Sequence, residues 1–258
     1  MLAVISPAKR LDFERGAENP SMTQPALWDE SLRLLKHLRG MKAHEVGALM
    51  KLSDKLAELN YQRFQTFPLK PSKSLSGRPA LLAFDGDTYQ GLDASSMTTK
   101  SMDYARDHLF ILSGLYGLLR SFDEIHPYRL EMGTKLNNER GKDLYAFWEH
   151  RITEQLQNHA DVNKAKWLCN LASTEYFKSV KTSKLGIAVV TPVFHEVQNG
   201  KGKVVGLMAK RARGMMARFI MDKRVKTPQG LKSFDKGGYA CNPELSNDNT
   251  MVFQRAKV

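Results

Sequence analysis

No stretch of this chain is apolar for long enough to cross a bilayer as a helix, which needs roughly 18 or more consecutive apolar residues. Its opening, MLAVISPAKR, carries neither a long apolar core nor a small-residue cleavage site, so a cytoplasmic protein without a membrane partner is expected. Cysteine is scarce. Cys169 lies in an apolar run and Cys241 in a polar tail, which excludes a disulfide framework and a zinc pattern and predicts reduced thiols. The seven histidines, at 37, 44, 108, 126, 150, 159 and 195, show no ligand spacing, and His195 beside Glu196 is only an isolated candidate. Asp85 and Asp87 have the spacing of a cation loop, but its twelfth position is Ser96 rather than glutamate. No metal and no cofactor is expected. A nucleophile elbow, a Walker loop, an HExxH helix, a Rossmann glycine fingerprint and any internal repeat are also missing.

Acidic residues are outnumbered. There are 39 Lys and Arg against 27 Asp and Glu, a net charge of +12 that points to a polyanionic partner such as nucleic acid. The excess is local. From Lys201 to Arg224 stand Lys201, Lys203, Lys210, Arg211, Arg213, Arg218, Lys223 and Arg224 against Asp222 alone, so +7 of the +12 falls in about a tenth of the chain. A solvated helix face remains the competing reading of this run. With 258 residues, 42% of them hydrophobic, the chain can bury a full core, and a mixed α/β (α+β) protein is expected, as one large domain over 1–258 or as two fused lobes.

Leu2–Ile5 reads as a buried strand followed by the loop SPAKRLDF, which puts Ser6 and Lys9 at a strand end, where ligand-contacting groups often stand. A turn serine and a solvated lysine are the competing reading. Leucines at three-and-four spacing predict a helix over 27–38, a second over 43–51 and a third from Lys55 to about Phe64, together a possible helical lobe over 27–67. In the turn between the last two, Lys51, Ser53 and Lys55 flank a helix N-terminus whose free N–H groups suit a phosphate. An ordinary core-building hairpin is as good an account. PLKPSKSLSGRP, 68–79, reads as an exposed connector, and 80–84 as a buried strand leading to Asp87 and Tyr89 in a glycine-flanked turn.

The chain is organised around LFILSGLYGLLRSFDEIHPYRLEMG, 109–133, an apolar run that gives way to Tyr116, Arg120, His126, Tyr128, Arg129 and Glu131. Gly114 and Gly117 either let backbones approach or take positive φ. Further on, helices are predicted over 101–111 and 141–157, and a strand over 166–171 precedes Ser173, Tyr176 and Lys178. A hairpin is predicted from 187–195 and 203–208, followed by the basic helix AKRARGMMARFIMDKR carrying Lys210, Arg213 and Arg218, and a closing MVF strand.

SPAK, GDTYQGL, SGLYGLLR, PYRLEMG and NLAS with YFKSV together resemble the bacterial YaaA family of peroxide-stress proteins, in blocks spread over essentially the whole chain. Two positions depart from the expected pattern: Arg10 stands where threonine is usual, and Thr88 where valine is. The resemblance implies a cytosolic DNA-binding protein of the oxidative-stress response, on the family's cantaloupe fold with a basic cleft and a helix-hairpin-helix element. On that reading Lys9, Lys51, Ser53, Lys55, Arg120, Arg129, Lys210, Arg213 and Arg218 face nucleic acid, duplex or partly unpaired. Ser6, Asp87, Tyr89, Tyr116, Tyr128 and Glu131 would line a pocket. The hairpin turn lacks the usual glycines.

An enzyme acting on a flipped or unpaired base is the alternative, with Asp87 or Glu131 as acid or base. A hairpin-type glycosylase would carry an aspartate a couple of turns beyond the hairpin lysine, and there is none from Lys55 to Phe84. A third class, a cationic face that meets an acidic protein, also stays open, whereas a membrane surface would call for a basic helix with a Trp or Leu wedge.

Overall fold

The computed structural model describes residues 1–14, 21–70 and 77–256. Among these, one sheet contains β1 (Leu2–Ile5), β2 (Leu109–Ser113), β3 (Gly117–Arg120), β4 (Trp167–Leu171), β5 (Ala188–Gln198), β6 (Lys201–Lys203), β7 (Ala240–Asn242) and β8 (Thr250–Ala256). Across the sheet the order is β7-β8-β5-β4-β1-β2-β3, with β6 paired back on β5. The inner strands β8, β5, β4, β1 and β2 run parallel, while β3, β6 and β7 are antiparallel to their neighbours. The fold is thus mixed α/β.

Every residue of β1 and β2 is buried. Successive strand side chains point to opposite faces, so uninterrupted burial means that both faces are covered, as a mostly parallel sheet requires. The main helices are α1 (Trp28–Arg39), α2 (Ala43–Met50), α3 (Asp54–Thr66), α4 (Asp87–Leu92), α5 (Thr99–His108), α6 (Arg151–Val162) and α7 (Gly206–Lys223). The helix α7 packs against β1, β4 and β5, and against α4 and α5.

The segment α1–α3 is tied to the sheet by aromatic rings. Trp28 of α1 and Phe67, just after α3, meet Tyr116 and His126, with ring centroids 5.5 to 6.3 Å apart. Arg39 closes the segment by donating from Nε to the Phe64 carbonyl and from Nη2 to those of Gln65 and Phe67.

Several expected elements differ. Ala80–Ala83 is one turn of helix rather than a strand. Alanine and leucine favour helix, and periodicity cannot separate a short buried helix from a strand. The expected connector 68–79 has its centre, 71–76, outside the described residues. Gly77, Arg78 and Pro79 at its end are buried, because Arg78–Pro79 pairs with Glu124–Ile125. The helix expected over 141–157 is broken into Leu144–Trp148 and α6 by Glu149 at φ 47. Phe147 and Trp148 are both wholly buried, and consecutive positions diverge by about 100° on a continuous helix. The hairpin turns at Asn199 and Gly200, both with positive φ and inside the expected connection 198–202, but its second strand is Lys201–Lys203 rather than 203–208, and α7 already begins at Gly206.

Candidate functional site

The strand β1 has β2 on one side and β4 on the other, so the direction of winding reverses here and loops diverge from the carboxyl ends. Ligands of open parallel sheets sit in such crevices. Here the crevice is a cavity of about 680 Å³.

Four segments build its walls. The loop after β1 supplies Ser6, Lys9 and Arg10, and the loop after β4 supplies Ser173 and Glu175. These two loops are locked together, since the Ser173 backbone N–H donates to Ser6 Oγ at 2.9 Å. The third segment, Asp85–Gln90, runs into α4. Tyr89 donates its hydroxyl to the Ser6 carbonyl at 3.1 Å, and Arg10 pairs antiparallel with Asp85 while its Nε meets Oδ2 at 2.7 Å. The fourth segment is Tyr128–Glu131, laid over the end of β2. A Cβ on Gly114 would stand 2.3 Å from the Leu130 carbonyl oxygen, so only glycine admits this loop.

Lys210 and Arg213 of α7 complete the cavity. Their height is set by a backbone crossing of α4 and α7, where a Cβ on Gly214 would lie 1.8 Å from the Thr88 carbonyl oxygen. From the other side, a Cβ on Gly91 would lie 2.1 Å from that of Arg211.

The charges of the cavity are unevenly neutralised. Glu131 Oε1 is shared by Lys9 Nζ at 2.9 Å and Arg129 Nη2 at 3.2 Å, and Arg10 is matched by Asp85. Glu175 Oε1 accepts the Gly133 N–H at 2.9 Å. Lys210 and Arg213 have no carboxylate within 4.0 Å among the described residues, and Asp87 has no cation. Arg129 Nε is buried without a hydrogen-bond partner. Burial lowers the Arg213 guanidinium from its ordinary value, a desolvation cost that an anion in the cavity would relieve. Burial pushes the Tyr89, Tyr128 and Tyr176 phenols upward, so they stay neutral and serve as aromatic surface rather than as bases.

Ser6, Lys9, Asp87, Tyr89, Tyr128, Arg129, Glu131, Lys210 and Arg213, separated by up to two hundred residues, therefore meet at one cavity. The tyrosines are not open stacking platforms. Tyr89 and Tyr128 are 7% and 4% exposed, with their rings against Phe84 and Tyr116 and the Tyr128 hydroxyl 2.6 Å from Ser113 Oγ.

Other expected residues lie elsewhere. Tyr116 is wholly buried and its hydroxyl accepts the His126 N–H at 2.9 Å. Arg120 turns to Asp123, with Nε and Nη2 at 3.0 and 2.9 Å, and to the Gln24 carbonyl. Arg218 is committed to Asp222 at 2.7 Å, to the Leu92 and Asp93 carbonyls and to Ser96. Lys51, Ser53 and Lys55 are exposed at the α2–α3 turn and line no part of the cavity. Glu175 was missed by the sequence reading, although its place just beyond the strand end carried the same signal as Ser173. Cys169 is wholly buried, which pushes its thiol up and removes the thiolate on which oxidation depends.

The sequence model of the family described as "Peroxide stress protein YaaA" matches residues 1–245. A UPF0246 protein of Magnetococcus marinus is 50% identical over 256 residues, spanning 99% of each chain. UPF0246 proteins of Burkholderia cenocepacia and Burkholderia ambifaria are 47% and 48% identical over 257 and 259 residues, 99% of this chain and 98% of theirs. The chain belongs to the YaaA family of peroxide stress proteins.

Proposed function

We propose that this member of a peroxide stress family binds DNA through its phosphates, with little sequence preference. The observation that carries the reading is the pair Lys210 and Arg213. They stand one turn apart on α7, face the cavity and lack carboxylate partners, in the stretch that holds +7 of the net +12. Cations left without a carboxylate in a cavity whose other cations, Lys9, Arg10 and Arg129, are matched by Glu131 and Asp85 favour an anionic ligand. Exposed Lys201, Lys203, Lys223 and Arg224 extend the positive potential along the same stretch. Lys51 and Lys55 beside the N-terminus of α3 supply a second phosphate contact in this reading.

Titrating duplex DNA at a series of salt concentrations tests the proposal. Log affinity should fall linearly with log salt, with a slope of about 0.9 for each neutralised phosphate. Affinity that ignores salt, or no binding at low salt, would overturn it. Arg218→Ala should weaken the fold without flattening the slope, because its donors are already occupied within the protein.

A further inference from the structure

We infer that the cavity between β1, β4, α4 and α7 is a receptor for one nucleotide unit, its phosphate on Lys210 and Arg213 and its sugar or base donors on Asp87. The inference rests on the anion-binding reading of the same two cations and adds what that reading leaves open, the rest of the ligand.

Three observations converge. At about 680 Å³ the cavity has the size of small-molecule and cofactor sites, roughly 300–1,000 Å³, and it lies at the winding reversal of a mostly parallel sheet. Phosphate alone would need far less room. Tyr89, Tyr128 and Tyr176, 7%, 4% and 8% exposed, contribute the edges of neutral aromatic rings to the lining, suited to a planar heterocycle edge-on.

The third observation is the disposition of Asp87 and Arg213. Their neighbours Thr88 and Gly214 touch backbone to backbone where α4 crosses α7. Both line the cavity, yet they make no ion pair with each other within 4.0 Å. A carboxylate and a guanidinium so placed and unpaired form a two-sided receptor, acceptor beside donor. A bare inorganic anion satisfies only the donor half and is repelled by Asp87. A nucleotide satisfies both, offering phosphate oxygens to Arg213 and hydroxyl or amino hydrogens to Asp87. The ligand is either a free mononucleotide or a nucleotide extruded from DNA, and the chemistry of recognition is the same for both.

Calorimetric titration of the full chain with deoxyadenosine 5′-monophosphate, with deoxyadenosine and with inorganic phosphate tests the free source. Anisotropy of a short duplex, perfect or carrying one unpaired adenine, tests the extruded source. The expected result is preference for the mononucleotide over both fragments, or for the bulged over the perfect duplex. In either case Arg213→Gln and Asp87→Asn should each reduce it about tenfold, with the melting temperature unchanged. Loss in Arg213→Gln alone would overturn the nucleotide assignment and leave a simple anion site, and so would equal affinity for mononucleotide and inorganic phosphate. If neither source shows a preference that depends on Asp87, the inference fails even where salt-sensitive duplex binding persists. If the mononucleotide binds but duplex does not, the DNA reading fails and this one stands.

Discussion

The cavity and the α2–α3 turn both present cationic side chains beside a helix, but they solve opposite physical problems. At the turn, Lys51 and Lys55 are exposed to water. Such charges act through a screened field that weakens over about 8 Å at physiological salt. In the cavity, Arg213 is largely desolvated and Arg129 Nε is buried without a partner, so these groups already bear a cost that a ligand would remove. The difference teaches that net charge locates a polyanion's neighbourhood, whereas incomplete neutralisation under burial locates a site. Even α7 contains both cases. Arg218 is consumed by five contacts within the protein, while Arg213, five positions earlier, has none of comparable kind among the described residues.

The severest way to break the contrast is to separate α4 from α7. Gly214→Ala would place a methyl 1.8 Å from the Thr88 carbonyl, a backbone atom that cannot swing aside. Overpacking of this kind costs about 3 kcal/mol or more, read as a lowered urea midpoint. Affinity at the cavity should fall with it, because both Asp87 and Arg213 are carried by the crossing. A variant as stable as the parent would show that the two helices can part freely.

Acid offers a second, slightly smaller effect, directed at the other region. His126 sits in the ring cluster that fastens α1–α3 to the sheet, and desolvation lowers its pKa to about 4. The unfolded chain takes up this proton near pH 6.5 and the folded one only near 4, so stability due to the neutral imidazole is complete above 6.5 and is lost as pH falls toward 4. The loss should be roughly 2–3 kcal/mol. Burial raises Asp123 and Glu124 instead, which acts in the opposite sense, so the comparison of interest is the parent against His126→Asn. The urea midpoint should fall less between pH 7 and pH 4.5 in the variant than in the parent. Identical pH profiles would exclude His126 as the sensitive joint.

Removing cations in pairs sharpens the comparison directly. Lys210→Ala with Arg213→Ala should flatten the salt slope of DNA binding by about 1.8, and Lys51→Ala with Lys55→Ala by a similar amount if both lysines reach phosphate. The pairs should separate at high salt. The share of the lost affinity that the desolvated Arg213 carries persists there, since a contact shielded from water is screened less, whereas the turn pair becomes silent. Equal behaviour of the two pairs at all salts would erase the distinction between the regions.

Much of this was legible in the sequence, for reasons visible at particular residues. LAVI and the LFIL of LFILS are apolar at every position because the strands are covered on both faces, and Gly114 and Gly117 do what the chain's punctuation suggested: one admits the Leu130 carbonyl and the other takes φ 69. The cavity residues from Ser6 to Glu131 were readable as polar groups just past buried strands. What escaped was pairing. Arg213 and Arg218 share a helix and a residue type, and only the packing of Leu92–Ser96 against α7 assigns them different fates. Arg120 was drawn away for the same reason, by an aspartate three positions on whose burial no local pattern shows. The glycines at 91 and 214 carried the crossing of α4 and α7, but spacing along one chain does not say which glycine meets which carbonyl.

The smallest expected effect isolates the turn. Lys51 holds φ 54 and ψ 53, the left-handed conformation that ends α2 and that glycine adopts without a Cβ penalty. A lysine there costs roughly 1–2 kcal/mol of backbone strain, partly offset by the greater freedom glycine would have in the unfolded chain. Lys51→Gly should therefore stabilise the protein by about 0.5–1 kcal/mol while removing one exposed positive charge. If that charge contacts phosphate, duplex binding weakens and its salt slope falls by about 0.9 as the melting temperature rises. Stability and binding then move in opposite directions, a signature that loss of fold cannot mimic. Binding unchanged in a stabilised variant would make the α2–α3 turn a structural hairpin and leave the cavity side of the molecule as the DNA-facing one. A drop in stability would mean instead that the Lys51 side chain holds the turn.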